Sequence, residues 1–345
     1  MTLKVFVARR VPEIGIRLLK DAGLDVEVND SDTVLTKKEL INRIQDKEAL
    51  LSLLTDKVDE EVLSAPKLKI VSNYAVGYDN IDLRAAALRK IIVTHTPDVL
   101  NETVAEHTIA LLLAVTRRIV ESDKFTRQGK YKAWGPLLFL GQDAIGKTLG
   151  IIGLGRVGRA VARRAIALGM KVIYFNRSRN QDVEKKLSAR YVEKETLLKE
   201  ADFISIHLPL TPETRHYIGE KELSLMKRNA ILVNTSRGPI VEEKGLVEAL
   251  KHKRIFGAAL VGCRNPCSVS KVMVQRLCLL NDSLLQLDLS CPNNIRKGVT
   301  NEPFSKTITD DLALPIPYCM DAKIQISNIG RQNCRSCRVL YSGIF

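Results

Sequence analysis

Short apolar runs alternate with amphipathic stretches from Leu3 to Leu260, and this rhythm predicts strands followed by helices. "KVFVA" (4–8) and "LDVEV" (24–28) read as strands, with a helix in "PEIGIRLLKDAG" between them that stops at Gly23. "LTKKELINRIQDK" predicts a second helix with Thr36 as its N-cap, followed by the buried strand "ALLSLL". "LKIVSNYAVGYDNIDL" is a strand that empties into a loop, and "IIVTHTP" is a strand ended by Pro97. Residues 101–127 read as one long helix with apolar positions three and four apart, a form common in domain bridges and dimer surfaces. A second strand–helix series starts at "KTLGIIGLG" and runs through "KVIYF", "DFISIHLPL", "AILVNTS" and "IFGAAL". Such alternation forms parallel sheets covered by helices, so the fold class is α/β.

A chain of 345 residues favours two domains over one core. The longest apolar stretch, "IALLLAV" at 109–115, is too short to cross a bilayer, and "MTLKVFVARR" has no small-residue cleavage site. No membrane role and a cytoplasmic location are therefore expected. The formal charge of +14 raises nucleic acid as a partner. The basic residues, however, are scattered beside acidic ones, as in "RLLKDAGLDVEVND" and "VEKETLLKE", and no aromatic-rich RNA-binding motif is present. No nucleic-acid partner is expected, and a phosphate-bearing small molecule fits the charge as well.

"GIIGLGRVGRAVARRAIALG" (150–169) supplies that molecule's signature. Gly153, Gly155 and Gly158 form G-x-G-x-x-G between an apolar strand and an amphipathic helix. Gly153 permits the tight turn, Gly155 lets backbone approach a pyrophosphate, and Gly158 lets helix and strand pack closely. Leu154, Arg156 and Val157 complete the loop, whose helix N-terminus offers N–H groups and partial positive charge to phosphates. NAD-binding proteins place a carboxylate about twenty residues further on, to accept from the ribose 2′-hydroxyl. Here the next strand ends in Asn176, Arg177, Ser178 and Arg179, with no acidic residue before Asp182. Guanidinium and hydroxyl groups suit a 2′-phosphate, which a carboxylate would repel. The cofactor expected is NADP(H), with NAD(H) the alternative.

With these residues in place, residues 1–260 resemble the D-isomer-specific 2-hydroxyacid dehydrogenases, in their glyoxylate/hydroxypyruvate reductase branch. Five motifs carry the resemblance: "NYAVGYDNIDL" (73–83), "NETVAEHTIALLLA" (101–114), "GKTLGIIGLGRVG" (146–158), "HLPLTPET" (207–214) and "NTSRGPIV" (234–241). The resemblance implies two doubly wound parallel-sheet domains, a Rossmann nucleotide-binding domain inserted into a flavodoxin-like substrate domain. On this chain that places the substrate domain at 1–100 and the nucleotide domain at 101–260, with residues 261–345 as an atypical tail. It implies that Val76 and Gly77 offer N–H groups to a substrate carboxylate. Arg237 would hold that carboxylate and the 2-oxo oxygen as the catalytic electrophile, while Thr103, Leu208, Pro209 and Thr235 border the cofactor. It further implies a homodimer, reached through the segment that contains Trp134. Reduction of glyoxylate or hydroxypyruvate to the D-2-hydroxy acid is the activity implied. The chemistry agrees: hydride addition builds negative charge beside an existing carboxylate, and a fixed guanidinium is suited to stabilise both.

The resemblance breaks at Val261. In the family a His about fifty residues past the Arg supplies the proton, held by a Glu about thirty residues past it. The five histidines here are His95, His107, His207, His216 and His252, and the text around the Glu position, "RNPCSVS", has no carboxylate. His95 and His107 lie near the hinge, where structural roles are expected for both. All seven cysteines, Cys263 to Cys337, fall in the tail. One account of this is a divergent segment with a zinc-type spacing in Cys263/Cys267 and Cys334/Cys337, although no metal site is assigned. The other is a frame slip near codon 261, favoured by the abrupt cysteines and by a motif that ends mid-strand. A tail with few periodic apolar positions is expected to be poorly ordered over 270–345. The chain as written then has an alternative reading, a catalytically impaired NADP(H)-binding protein.

Overall fold

The computed structural model describes residues 2–31, 33–261 and 273–274. Two parallel sheets organise them. The first contains β1 (Lys4–Val7), β2 (Asp25–Val28), β3 (Ala49–Ser52), β4 (Ile70–Asn73) and β5 (Ile92–Thr94), in the order β2-β1-β3-β4-β5. The second contains β6 (Thr148–Ile152), β7 (Lys171–Phe175), β8 (Arg190–Tyr191), β9 (Phe203–Ile206), β10 (Ile231–Asn234), β11 (Gly257–Leu260) and β12 (Met273–Val274). Its order is β12-β11-β10-β9-β6-β7-β8. Strand order reverses between β1 and β3 in one sheet and between β6 and β9 in the other. Such switch points open a crevice at the carboxyl ends of the strands, where α/β folds bind ligands.

Burial explains the strand sequences. β9 (FISI) and β10 (ILVN) are buried at every position, as central parallel strands covered on both faces must be. Helices α1 (Glu13–Asp21), α2 (Lys37–Ile44) and α3 (Leu83–Leu88) lie among the strands of the smaller sheet in the chain. One face of the larger sheet is covered by α4 (Asn101–Thr116) and α6 (Arg156–Ala167), whose Leu112, Val161 and Ala165 pack with Leu149, Ile151 and Val233. Leu197, Leu223 and Leu246 cover the other face against Ile152, Ile204 and Leu232. The smaller sheet has its own core around Phe6, Leu50, Val71 and Ala85. Thr36 caps the helix Lys37–Ile44 through a reciprocal capping box with Glu39, as its sequence position predicts.

Two expectations change. Residues 101–127 are not one helix: α4 ends at Thr116, and α5 (Ile119–Arg127) starts after Arg118, which adopts a left-handed conformation at φ 55°. The Arg118 guanidinium stands 5.1 Å from the Phe139 ring centroid and pairs with Glu121, so tertiary contacts hold a turn that apolar spacing does not reveal. α4 buries Ala105, Thr108, Ile109, Leu111, Leu112, Val115 and Thr116, whereas α5 buries no residue. Within the tail, Met273–Val274 forms a strand parallel to β11, against the expectation of disorder there. The rest of that expectation, and the cysteine pairs, lie outside the described residues. Among the described residues no helix is long and apolar enough to cross a membrane, and no group of side chains has metal-ligand character.

Candidate active site

Every candidate residue from the sequence falls on a loop at the carboxyl end of a strand or on the first turn of a helix. The loop after β6 turns at Gly153, whose φ of 100° excludes most side chains, and whose added Cβ would stand 2.5 Å from the His207 carbonyl oxygen. Gly158 lies so close that a Cβ there would overlap the Gly153 carbonyl oxygen. At Gly155, by contrast, a Cβ would meet nothing within 4 Å. The open space therefore lies in front of the α6 N-terminus, where the N–H groups of Arg156, Val157 and Gly158 have no intrahelical acceptor. This cradle fits a pyrophosphate. The Arg156 side chain is tied to Asp98 of the hinge, Nε to Oδ1 at 2.9 Å, with both groups largely exposed.

The loop after β7 faces this cradle. Asn176 accepts a hydrogen bond from the Leu154 N–H at 2.7 Å, so it shapes the glycine turn from the position where a ribose-binding carboxylate is otherwise expected. Arg177 and Ser178 are exposed. Arg179 is differently placed: its Nε and Nη2 both donate to Glu184, each at 2.8 Å, and the Tyr174 hydroxyl donates to the same carboxylate. That pairing raises the Arg179 pKa and lowers that of Glu184. A bidentate partner already satisfies Arg179, so the basic loop presents one ready guanidinium, Arg177, beside a hydroxyl.

The loop after β9 carries Leu208 and Pro209. The Leu208 side chain lies 3.1 Å from where a Gly153 Cβ would stand, and the Pro209 carbonyl accepts from Thr214 Oγ1. His207 is desolvated by the protein around it, which pushes its imidazole down to about 4, although its residue surface is only partly covered. Its Nε2 is 2.8 Å from Ser205 Oγ. Neutral at physiological pH, it satisfies a buried serine in β9 and has a structural task. Thr235 follows β10, and its Oγ1 is 2.8 Å from Thr108 Oγ1. Thr108 spends its one hydroxyl hydrogen on the Val104 carbonyl at 2.7 Å, so Thr235 donates to Thr108. Thr103 stands exposed on the first turn of the same helix.

Arg237 reaches from the β10 loop to the smaller sheet. Its Nε donates to Asp79 Oδ1 at 2.9 Å and its Nη1 to the Ser236 carbonyl at 3.1 Å. Its Nη2 lies against Gly77, where an added Cβ would overlap it. Gly77 and Asp79 thus meet Arg237 although the two loops are distant in sequence. Two buried asparagines hold the opposing loops in shape. Asn73 donates to the Gly77 carbonyl at 2.7 Å and accepts from Ser52, while Asn234 donates to the Arg237 carbonyl at 2.8 Å and accepts from the Ser236 N–H. Each opens one of the quoted motifs, "NYAVGYDNIDL" and "NTSRGPIV", but neither is among the candidate site residues named from the sequence. Their signal is nonetheless present: each is a polar residue that ends an otherwise apolar strand, and such a buried amide must find partners.

The two hinge histidines differ. His95 Nδ1 is 2.9 Å from the Val76 carbonyl, so it carries the proton and props the loop, with its ring edge-on to Tyr78. His107 Nε2 is buried with no hydrogen-bond partner among the described residues, and desolvation lowers its pKa.

A doubly wound sheet whose carboxyl edge carries both a glycine-cradled helix N-terminus and, after β10, an arginine that reaches a loop of the smaller sheet defines a dinucleotide-dependent α/β enzyme. Residues 109–266 match the family model for the D-isomer specific 2-hydroxyacid dehydrogenase NAD binding domain. The chain is 52% identical over 265 residues to a glyoxylate reductase of Thermococcus litoralis, covering 75% of this chain and 80% of that one. It is 51% identical over 262 residues to a glyoxylate reductase of Korarchaeum cryptofilum, covering 75% and 79%. The crystal structure of the TT0316 protein from Thermus thermophilus superposes with a TM-score of 0.71 at 46% identity, over 75% of this chain and 81% of that one. The chain belongs to the D-isomer specific 2-hydroxyacid dehydrogenase family, whose members are nicotinamide-dependent oxidoreductases. The family match ends at residue 266, close to the first of the seven cysteines.

Proposed function

We propose that this chain reduces a small 2-oxo acid, glyoxylate or hydroxypyruvate, with NADPH as the hydride source. The observation that carries the reading is the approach of Arg237 to the Val76–Gly77 loop at the mouth of the cleft. The name borne by its relatives, glyoxylate reductase, supports the substrate class. Asn176 in place of a carboxylate, with Arg177 and Ser178 exposed beside it, supports NADPH over NADH. The substrate domain is assigned to residues 1–100 and the nucleotide domain to 101–260, because α4 packs into the core of the larger sheet.

The bound nicotinamide supplies the hydride. The chain's own residues do the rest. The Val76 and Gly77 backbone holds the substrate carboxylate, and the Arg237 fork neutralises both that carboxylate and the charge growing on the 2-oxo oxygen. Leu208, Pro209, Thr235 and Thr103 wall the cofactor side. Glycines 153 and 158 let the α6 N-terminus face the pyrophosphate.

A second reading rests on one observation: no histidine follows His252 in this sequence. A positioned general acid contributes about 10²–10⁴-fold to such a reaction. Without one, Arg237 still aids hydride transfer, water supplies the proton, and the chain is a slow reductase or a cofactor-binding protein. NADPH oxidation with glyoxylate, followed at the cofactor's near-ultraviolet absorbance, separates the two readings. Turnover matching a full-length relative supports the reductase. NADPH binding tighter than NADH binding with turnover about 10²-fold lower or less supports the impaired form. Failure to bind either nucleotide contradicts both.

The same proposal includes a homodimer. Trp134 and Leu137 are 80% and 81% exposed, with Ile145 at 73% on the same connecting segment. Large apolar side chains clustered on one surface segment support a partner surface. Light scattering on the purified chain is expected to give twice the protomer mass, and Trp134→Glu to halve it. A monomeric parent chain would refute this part.

A further inference from the structure

The reading of Arg237 as the substrate's anchor leaves open what holds its guanidinium in place. We propose that Asp79 is a positioning residue: it grips the Nε edge of Arg237 and thereby aims the Nη1–Nη2 fork at the 2-oxo acid. This rests on the reading of Arg237 given above.

Three contacts define the pose. Asp79 Oδ1 accepts from Nε at 2.9 Å, the Ser236 carbonyl accepts from Nη1 at 3.1 Å, and Nη2 lies on the Gly77 backbone. Asp79 thus engages the edge that a substrate does not need. One hydrogen on Nη1 and both on Nη2 stay available beside the N–H groups of the Val76–Gly77 loop. A planar guanidinium on a long flexible stem has many rotamers, and a carboxylate on one edge selects among them before substrate arrives. The partners come from different sheets, so the contact also sets how the two walls of the cleft meet. Asp79 and Arg237 side chains are 27% and 26% exposed, which keeps the pair within reach of water and the substrate.

A carboxylate this close also repels the incoming substrate carboxylate. The two effects have opposite signs and can be separated. Asparagine keeps an oxygen acceptor for Nε but removes the charge, whereas alanine removes both.

The test uses the full chain loaded with NADPH, and oxamate, a 2-oxo acid isostere that accepts no hydride, as the probe. Calorimetry would give its affinity for the parent chain and for the Asp79→Ala, Asp79→Asn and Arg237→Ala variants. Asp79→Ala is expected to weaken oxamate by roughly tenfold or more, because a displacement of about 1 Å at such a site is costly. Asp79→Asn is expected to bind within about threefold of the parent or tighter, since geometry survives and repulsion is gone. NADPH affinity is expected to stay unchanged in both. Oxamate binding retained by Asp79→Ala but lost by Arg237→Ala would overturn the role of Asp79 and leave that of Arg237 standing. Retention by Arg237→Ala would instead overturn the reading of the anchor itself. Equal loss in Asp79→Asn and Asp79→Ala would show that charge, not aim, matters, and would also overturn the proposal. Should Asp79→Ala not fold, Gly77→Ala disturbs the same pair directly, because its Cβ would overlap Nη2 and stand 3.1 Å from Asp79 Oδ1. Unchanged oxamate binding in that variant would refute the dependence on pose.

Discussion

Arg237→Ala is expected to lower kcat/KM for glyoxylate by about 10³-fold or more while NADPH binding stays near that of the parent chain. Removing one oxyanion-type donor costs about 10²–10³-fold in other enzymes, and on the proposed function Arg237 serves the substrate carboxylate as well as the growing alkoxide. The change also strips Asp79 of its partner, which leaves a carboxylate to repel the substrate. Arg237→Lys restores charge but not the planar fork, so it is expected to recover only part of the loss. The order parent, Lys, Ala in steady-state kinetics is the expected result, with oxamate affinity following the same order. If turnover of the parent is too slow to rank, oxamate affinity alone carries the comparison. An Ala variant within about tenfold of the parent in both would remove Arg237 from the site.

The second large effect concerns the cofactor cradle. Gly158→Ala inserts a methyl group where the Gly153 carbonyl oxygen already stands, with Ile151 Cγ2 3.3 Å away. Helix α6 must then move off β6. Overpacking of this kind costs about 1–3 kcal/mol. In a domain of this size that is a fall in Tm of roughly 2–4 °C for each kcal/mol. Because the displaced elements form the proposed pyrophosphate cradle, NADPH affinity is expected to fall by about 10²-fold as well. Gly155→Ala is the informative counterpart. Its Cβ touches nothing, so the melting temperature without cofactor is expected to stay within about 1 °C of the parent. Its methyl group would project into the cradle, so NADPH affinity is expected to fall all the same. Scanning fluorimetry and nucleotide fluorescence titration read the two quantities separately. Parent-like NADPH binding by Gly155→Ala would mean that the phosphates do not lie in front of α6.

Both predictions use residues that are legible in the sequence. The glycines announce themselves because their spacing lies between an apolar strand and an amphipathic helix, and backbone sterics admit few other uses for it. Arg237 is legible through "NTSRGPIV", and the strand before it places it at the carboxyl edge of a sheet. Short apolar runs mark most of the strands for a simple reason: parallel strands covered on both faces must be apolar throughout. The two-residue strand β8 is not legible, since "RY" carries no pattern.

Other features are invisible for equally physical reasons. Arg118 breaks the helix by adopting a conformation that arginine rarely takes, and it is held there by Phe139 and Glu121 instead of by a turn residue. Arg179 looks equivalent to Arg177 in "NRSRN", yet the turn of the following helix brings Glu184 onto it and pairs its guanidinium.

Two parallel-sheet α/β units, a glycine-rich turn before a helix and a loop without the ribose carboxylate are readable along the chain by itself. So is a break in the family pattern shortly after Leu260, the family match itself running on to residue 266. Those follow from local periodicity and residue chemistry, which are written along the chain. Which charged groups pair with one another emerges from the packed fold alone. Asp79 and Arg237 are 158 residues apart, and their contact exists because two separately folded sheets turn their carboxyl edges toward one cleft. A hydrogen bond depends on distances of a few tenths of an ångström, and no spacing along the sequence encodes that.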